Sequence, residues 1–386
     1  MQVTVTNTVL GDPPQVNANS MLVVVGAKAT TDGTLAFSLD TPVLVQSMND
    51  LDTLGITAVN NPEVFKEVGD FFAPKTGVNT TGTILWLVGT EDSADVKTKI
   101  ADWVRSTVVN GFEYRPRQIA VSEPLEGEGA ITQVEMQKVI DELYVEGFST
   151  VAILGSQTLK AETGLWYDDT NLPDLSKIEA YFVGTCIVTD VQGGRACVGK
   201  LLGWVSTLSV GTSIGDGGSS AFSSSMFFVD EANTPCSAIT LEVANKLGDK
   251  QYIFTRTRPP KNGLWWNDGA TAADPATALS TLENGRTVAS IVDDSRQFFT
   301  PYINSKVPVN AKGDIDGTYK QVVLDNARAK IIVPYIEAGD ISDARLTLNA
   351  KNNDMTGTRT WEFTIEILDA PTLRWLDGYV FYVKSL

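Results

Sequence analysis

Apolar runs of strand length recur along the chain. Met21–Val25, Ile84–Val88, Ile119–Val121, Val151–Leu154 and Ala180–Val188 are nearly continuous in apolar residues rather than alternating. Strands of that kind are covered on both faces, which is the habit of parallel sheets. Between them the period changes. After Asn61, with Pro62 at the first turn, Val64, Phe65, Val68, Phe71 and Phe72 share one helical face. Asp95–Val108 and Thr132–Glu146 read as further helices, the second with Ile131, Val134, Val139, Ile140 and Leu143 inward. A short helix is expected near Leu175. Strands and helices in alternation predict an α/β region with a mostly parallel sheet.

The flanking regions read differently. Val3 and Val5 alternate with Thr4 and Thr6 before the break at Gly11-Asp12-Pro13-Pro14. This stretch is either an arm that pairs with another chain's open sheet edge or a frayed terminus. Thr34–Leu39 and Thr41–Ser47 predict a β-rich region up to residue 90. Near the C-terminus, Trp361, Phe363, Ile365 and Ile367 alternate with Thr and Glu, which predicts a half-buried antiparallel strand beside Ala344–Leu348. Beyond Pro371, a last strand runs through Tyr379, Val380, Phe381, Tyr382 and Val383. The expected organisation is an arm over 1–20, a β-rich domain over 21–90, an α/β domain over 91–250, an α+β domain over 251–370 and a strand arm over 371–386. The fold class is therefore mixed, α/β together with α+β.

Composition narrows the function. The 386 residues carry 47 acidic and 30 basic side chains, a net charge of −17. That balance argues against nucleic acid as the main partner, since phosphate binding needs clustered Lys and Arg. The chain has no histidine, which removes the usual Ser-His-Asp and Cys-His chemistries and most zinc sites. Cys186, Cys197 and Cys236 fit neither a metal motif nor a disulfide framework. They read as small buried residues in a reducing compartment. The N-terminus has no basic-then-apolar leader and no run is long enough to span a bilayer, so direct membrane insertion is not expected and the protein reads as cytosolic when made.

Several segments suggest chemistry and have plainer explanations. Gly211-Thr212-Ser213 has the look of a nucleophile loop but no base to serve it. Gly215-Asp216-Gly217-Gly218 lacks the Lys of a phosphate loop. Asp168-Asp169 and Asp293-Asp294 are carboxylate pairs that read as solvated faces or subunit salt bridges. Asp314-Ile315-Asp316-Gly317 lacks the remaining ligands of a calcium loop and reads as a turn and helix cap. Trp265-Trp266 followed by Asn267-Asp268-Gly269 reads as a hairpin turn flanked by packed aromatics. No cofactor is expected.

One long segment carries a resemblance. Tyr252–Arg256 is strand-like, followed by Pro259-Pro260-Lys261-Asn262-Gly263, Leu264–Gly269, a small-residue loop over 270–278, Asn284-Gly285-Arg286, a long helix, Ile303-Asn304-Ser305, and a second helix after Thr318. Pro42–Ser47 then Asp50-Leu51-Asp52-Thr53-Leu54-Gly55 form an earlier matching passage. In order and spacing these resemble the contractile tail sheath proteins of phages and related injection particles. The resemblance implies a sheath-type core with a subtilisin-like α/β middle domain, a C-terminal α+β domain and extended terminal strand arms. It implies no enzyme, but a structural subunit that polymerises helically in stacked rings around a tail tube and contracts to drive that tube through a cell envelope. Partners would be copies of itself, a tail tube protein, and baseplate and tail terminator proteins. The location would be a virion or tail-like particle, with assembly in the host cytoplasm. The arms would be Val3–Thr6 and Tyr379–Val383. Arg286, Arg296, Lys306, Lys320, Arg328 and Lys330 are candidate contacts to tube or neighbour, or else a solvated helix face. The alternatives are a non-contractile tail tube or surface-layer subunit, and a carboxylate-based hydrolase.

Overall fold

The apolar runs line up side by side. The computed structural model describes residues 19–73, 84–110, 115–122, 131–162, 164–216, 225–258, 261–350 and 355–370. The chain divides into two compact units, Met1–Lys306 and Val307–Leu386. The first holds β1 (Ser20–Val25), β2 (Val43–Val45), α1 (Met48–Thr53), α2 (Pro62–Phe72), β3 (Leu85–Thr90) and α3 (Ser93–Ser106). It continues with β4 (Gln118–Ser122), α4 (Gln133–Val145), β5 (Val151–Gly155), β6 (Val183–Cys186), β7 (Val188–Thr189) and α5 (Val198–Val205). Then follow β8 (Phe227–Phe228), α6 (Leu241–Asp249), β9 (Thr255–Arg258), β10 (Lys261–Trp266) and α7 (Leu282–Phe299).

Six strands form one sheet in the order β2-β3-β1-β4-β5-β6. All neighbours are parallel except β2, which runs antiparallel to β3 at one edge. Met21 stands between Trp86 and Ile119, and Ile153 faces Gly184. Every residue of β1, β3, β4 and β5 is buried. Each Leu, Ile or Val so enclosed contributes about 1.5–3 kcal/mol of apolar burial. The expected separation of a β-rich 21–90 region from an α/β 91–250 region is not the division seen. β1 and β3 lie in the same sheet as β4–β6, because a two-faced apolar strand needs neighbours of its own kind. Thr34–Leu39 contributes only the bridge between Thr30 and Phe37. Ala180–Val188 gives two strands rather than one, and the helix near Leu175 is a single 3-10 turn, Leu175–Lys177.

Local chemistry sets the helix starts. Thr132 and Glu135 form a capping box at α4, and the Asp92 carboxylate accepts the Ala94 N–H (2.9 Å) at α3. α2 crosses α5 through two glycines. A Cβ on Gly199 would stand 2.2 Å from the Glu67 carbonyl oxygen, and one on Gly203 would stand 2.5 Å from that of Phe71. Around this crossing two lysines and two aspartates close a ring. Lys66 Nζ reaches Asp70 (2.7 Å) and Asp190 (2.8 Å), while Lys200 bonds Asp190 and approaches Asp70 (3.5 Å). Burial works to raise Asp190, yet Lys66 and Lys200 outweigh it and hold its carboxyl at about 2. Glu67, almost fully buried, accepts the Gly199 N–H (2.5 Å). Burial pushes its carboxyl up to about 7, against the pull of Lys66.

β9 and β10 pair antiparallel, with Arg258 opposite Lys261 and Arg256 opposite Trp265. The reversal therefore comes before Trp265-Trp266, not at Asn267-Asp268-Gly269 as expected. Asn267 instead clamps the preceding strand: its side chain accepts the Phe254 N–H (2.8 Å) and donates to the Tyr252 carbonyl (3.0 Å). Both tryptophans are buried.

The second unit contains α8 (Gly317–Ala327), a π-turn over Arg328–Ile332, α9 (Val333–Ala338), β11 (Ile341–Ala350), α10 (Met355–Thr358) and β12 (Trp361–Asp369). Asp316 caps α8, accepting the N–H groups of Thr318 and Tyr319 (both 3.0 Å). β11 and β12 pair antiparallel, with Leu346 opposite Ile365 and Leu348 opposite Phe363. Among the described residues they pair only with each other. The antiparallel strand expected at Trp361–Ile367 is present, but Phe363 is 41% exposed and Leu368 63%.

Candidate functional site

In a sheet that winds outward from a central strand, ligands usually sit beyond the carboxyl ends of the strands where the order reverses. Here that place is filled from within. Arg195 Nη1 donates to the Val25 carbonyl at the end of β1 (2.6 Å). Gly26, with φ near 78°, leaves the room; a Cβ there would meet the Arg195 guanidinium at 3.3 Å. The Phe37 ring stands over Gly89 in β3, where a Cβ would be only 2.6 Å away. Ser213 is buried, and its hydroxyl accepts the Gly215 N–H (3.2 Å). Of the carboxylate pair Asp168-Asp169, Asp169 borders an open cleft of about 710 Å³ with Lys177, Lys246 and Lys250. Lys250, at 3.1 Å, and Lys246, at 3.5 Å, hold the Asp169 carboxyl below its ordinary value. An acid kept ionised by two lysines suits an ion-pair network better than general acid catalysis.

Charge of the opposite sign gathers near the amino ends of β4 and β5. Asp293 on α7 is 6% exposed and lies 2.5 Å from Arg115 Nη2. Arg117 Nε and Arg296 Nη1 stand farther off, at 3.8 and 3.9 Å. Arg296 donates to the Ser149 hydroxyl (3.0 Å) and the Tyr144 carbonyl (2.6 Å), with its guanidinium over the Tyr144 ring. Arg286, about two turns before Asp293 on α7, donates to the Leu208 carbonyl (2.8 Å). Burial lowers the Arg115 guanidinium, and Asp293 works against that. Asp293 is thus not on a solvated face, as the sequence suggested. It is the buried anchor of an arginine group assembled from two segments distant in sequence, the one before β4 and α7 itself.

The predicted basic residues do not all share one role. Arg286 is 4% exposed and so presents no charged tip to a partner, while Arg296 is about a third exposed. Lys306 is exposed at the end of the first unit. Lys320, Arg328 and Lys330 belong to the second. Lys320 bonds Asn349 (2.7 Å); Arg328 bonds Asp343 (2.8 Å) and the Ala344 carbonyl (2.6 Å); Lys330 is exposed. The candidate arms, Val3–Thr6 and Tyr379–Val383, lie outside the described residues. The sequence did not single out Arg115 and Arg117 as site residues. Its usable signal was the pair Arg115-x-Arg117 directly before a buried strand.

All three cysteines are buried. Among the described residues, no cluster of three or more His, Cys, Asp or Glu is placed to hold a metal, and no helix is long and apolar enough to cross a membrane.

A family model described as DUF2586, N-terminal domain, matches residues 1–270. The chain belongs to the DUF2586 family. No curated protein sequence matches this DUF2586 chain. Solved structures do. A chain in the baseplate of the anti-feeding prophage is similar with a TM-score of 0.61 at 10% identity, over 95% of this chain and 93% of that one. A chain of the PVC sheath complex, an extracellular contractile injection system in its contracted state, gives 0.58 at 12%, over 100% and 99%. The sheath tail protein of Listeria innocua gives 0.54 at 8%, over 92% and 96%. At such identities the likeness is one of fold. This DUF2586 chain has a contractile-sheath-type fold.

Proposed function

We propose that the chain is the structural subunit of a contractile tail sheath, one that polymerises helically around a tube and shortens to drive it through a cell envelope. The observation that carries this reading is mutual coverage: this chain and the PVC sheath chain match over 100% and 99% of their lengths, so the likeness extends beyond a shared α/β domain. The filled crevice at the sheet's carboxyl end and the lysine-held carboxylates also favour a mechanical role over a catalytic one.

In this reading the first unit is the rigid body and contains the subtilisin-like part of the family picture. The terminal strands through Val3–Thr6 and Tyr379–Val383 join neighbours while bodies rotate. Arg296, Lys320, Arg328 and Lys330 are contacts to tube or neighbour. A tail tube protein, a baseplate and a tail terminator complete the particle, in a virion or tail-like body assembled in the host cytoplasm.

Negative-stain electron microscopy of the concentrated chain tests the reading. Helical tubes with a wide lumen and a toothed outline are expected. Narrow tubes would assign a tube subunit instead. Deletion of residues 1–15 is expected to abolish wide tubes while leaving the body folded; tubes of unchanged length would remove the arm's role.

A further inference from the structure

The crossing of α2 over α5 holds a buried acid that the mechanical reading does not use. Lys66, Asp70, Asp190 and Lys200 close a ring there, with each lysine near both aspartates. Two cations face two anions, so the ring is neutral by itself. Glu67, next to Lys66 in the chain, is 1% exposed and turns to α5. Its carboxyl accepts the Gly199 N–H (2.5 Å), and a Cβ on Gly199 would stand 2.7 Å from the same oxygen. The carboxyl therefore rests directly on the backbone of α5.

Ionising Glu67 would put a third negative charge into a buried cluster that has two positive ones. Burial opposes that charge most, with Asp70 and Asp190 adding to it, while Lys66 and the Gly199 N–H favour it. Glu63, one turn earlier on α2, is a further acid. Neighbouring elements bring little else. β1 has no titratable side chain, and α1 meets α2 where Met48 lies against Gly69. On α1, Asp50 accepts the Gln46 and Ser47 N–H groups, and Asp52 is exposed. The rest of the cluster keeps its charge at neutral pH. Against its burial, Asp190 is held at about 2 by Lys66 and Lys200. Burial works to lower both lysines, and the carboxylates around them more than reverse it. The Cys186 contact and burial push the Cys197 thiol before α5 up. Glu67, raised by burial to about 7, does change charge in that range.

The packing shows what that charge would move. α5 lies on β1, β4 and β5, whereas α2 packs mainly on α5. α2 can therefore lift without taking a strand with it, and lifting brings water to Glu67. We infer that the crossing of α2 over α5 is a pH-sensitive clasp, shut while Glu67 keeps its proton and loosened when the carboxyl ionises. The sign follows from linkage. The closed value lies above the ordinary 4.5, so closing takes up a proton. The clasp is tightest below about pH 4.5 and loses that contribution as pH rises through 7. The inference goes beyond the sheath reading and does not rest on it.

Hydrogen exchange of the full natural chain at pH 5 and pH 8, corrected for the intrinsic pH dependence of amide exchange, tests the clasp. The opening reported by the α2 amides is expected to be at least about tenfold greater at pH 8. Amides of β11 and β12, in the second unit, are expected to show no such rise. In Glu67→Gln, which keeps the shape and cannot ionise, the rise in α2 is expected to vanish. Low urea separates a lifted helix from unfolding of the whole unit: the α2 amides are expected to respond weakly and those of β1 strongly. Equal opening of α2 at both pH values in the natural chain overturns the proposal, whether or not the variant folds. The same rise in Glu67→Gln assigns the response to another group and overturns it too. Equal urea responses of α2 and β1 would mean that the unit opens only as a whole, which removes the clasp.

Discussion

β1 and β12 are both regular strands of apolar character, and they live in different surroundings. β1 has a partner on each edge and cover on each face; all six of its residues are buried. β12 has one partner among the described residues, and its apolar side is half covered, with Ile365 and Ile367 partly exposed and Phe363 at 41%. The first strand belongs to a core that is complete within one chain. The second keeps apolar surface in water, which a protein of ordinary solubility rarely does without use. The difference separates residues enclosed on every side from residues that stay partly in water.

The sharpest way to break that contrast is to hollow out both strands. Leu22→Ala in β1 is expected to destabilise the first unit by about 3–4 kcal/mol, read as a lowered urea midpoint with an unchanged slope. A loss below about 1 kcal/mol would mean that the central strand is not closely packed. Next in size is the buried carboxyl at the α2–α5 crossing. The folded value of Glu67, about 7, lies above its unfolded value, so its contribution is most favourable below about pH 4.5 and is lost as pH rises through 7. The natural chain is expected to lose up to about 3 kcal/mol relative to Glu67→Gln across that window. Stability measured at several pH values checks this through the difference between the two proteins; a constant difference would show that Glu67 titrates normally. The smallest effect belongs to β12. Phe363→Ser is expected to change the hydrogen-exchange protection of the β11–β12 amides by less than about 0.5 kcal/mol. A cost equal to that of Leu22→Ala would erase the distinction between the two strands.

Much of the first unit was legible because its strands announce themselves one at a time. A run such as Met21–Val25 has no polar face to place in water, so both its burial and its parallel company follow from the residues alone. Which run lies beside which does not follow. The 21–90 segment read as a separate β-rich domain because short strand signals carry no information about their partners, and β3 sits on the far side of β1 from β4. The arginine group was half legible for the same reason. Arg286 and Arg296 share a helix and were visible as a pair. Arg115 and Arg117 reach Asp293 only because the sheet sets β4 beside β5 and α7 across them. Asp293 itself looked like one of many surface acids, since burial of a charge is decided by partners that lie far away in sequence.

Arg195 also has a meaning for anyone who would remake this fold. By seating its guanidinium against the last carbonyl of β1, beside a glycine that makes room for it, the chain supplies from its own covalent structure what related architectures take from solution. Removing that side chain, as in Arg195→Ala, would leave a hole shaped for a small planar cation, and added guanidinium would be expected to settle there and restore part of the lost stability. The crevice at the end of β1 is therefore kept closed by a tethered occupant, and one substitution opens it.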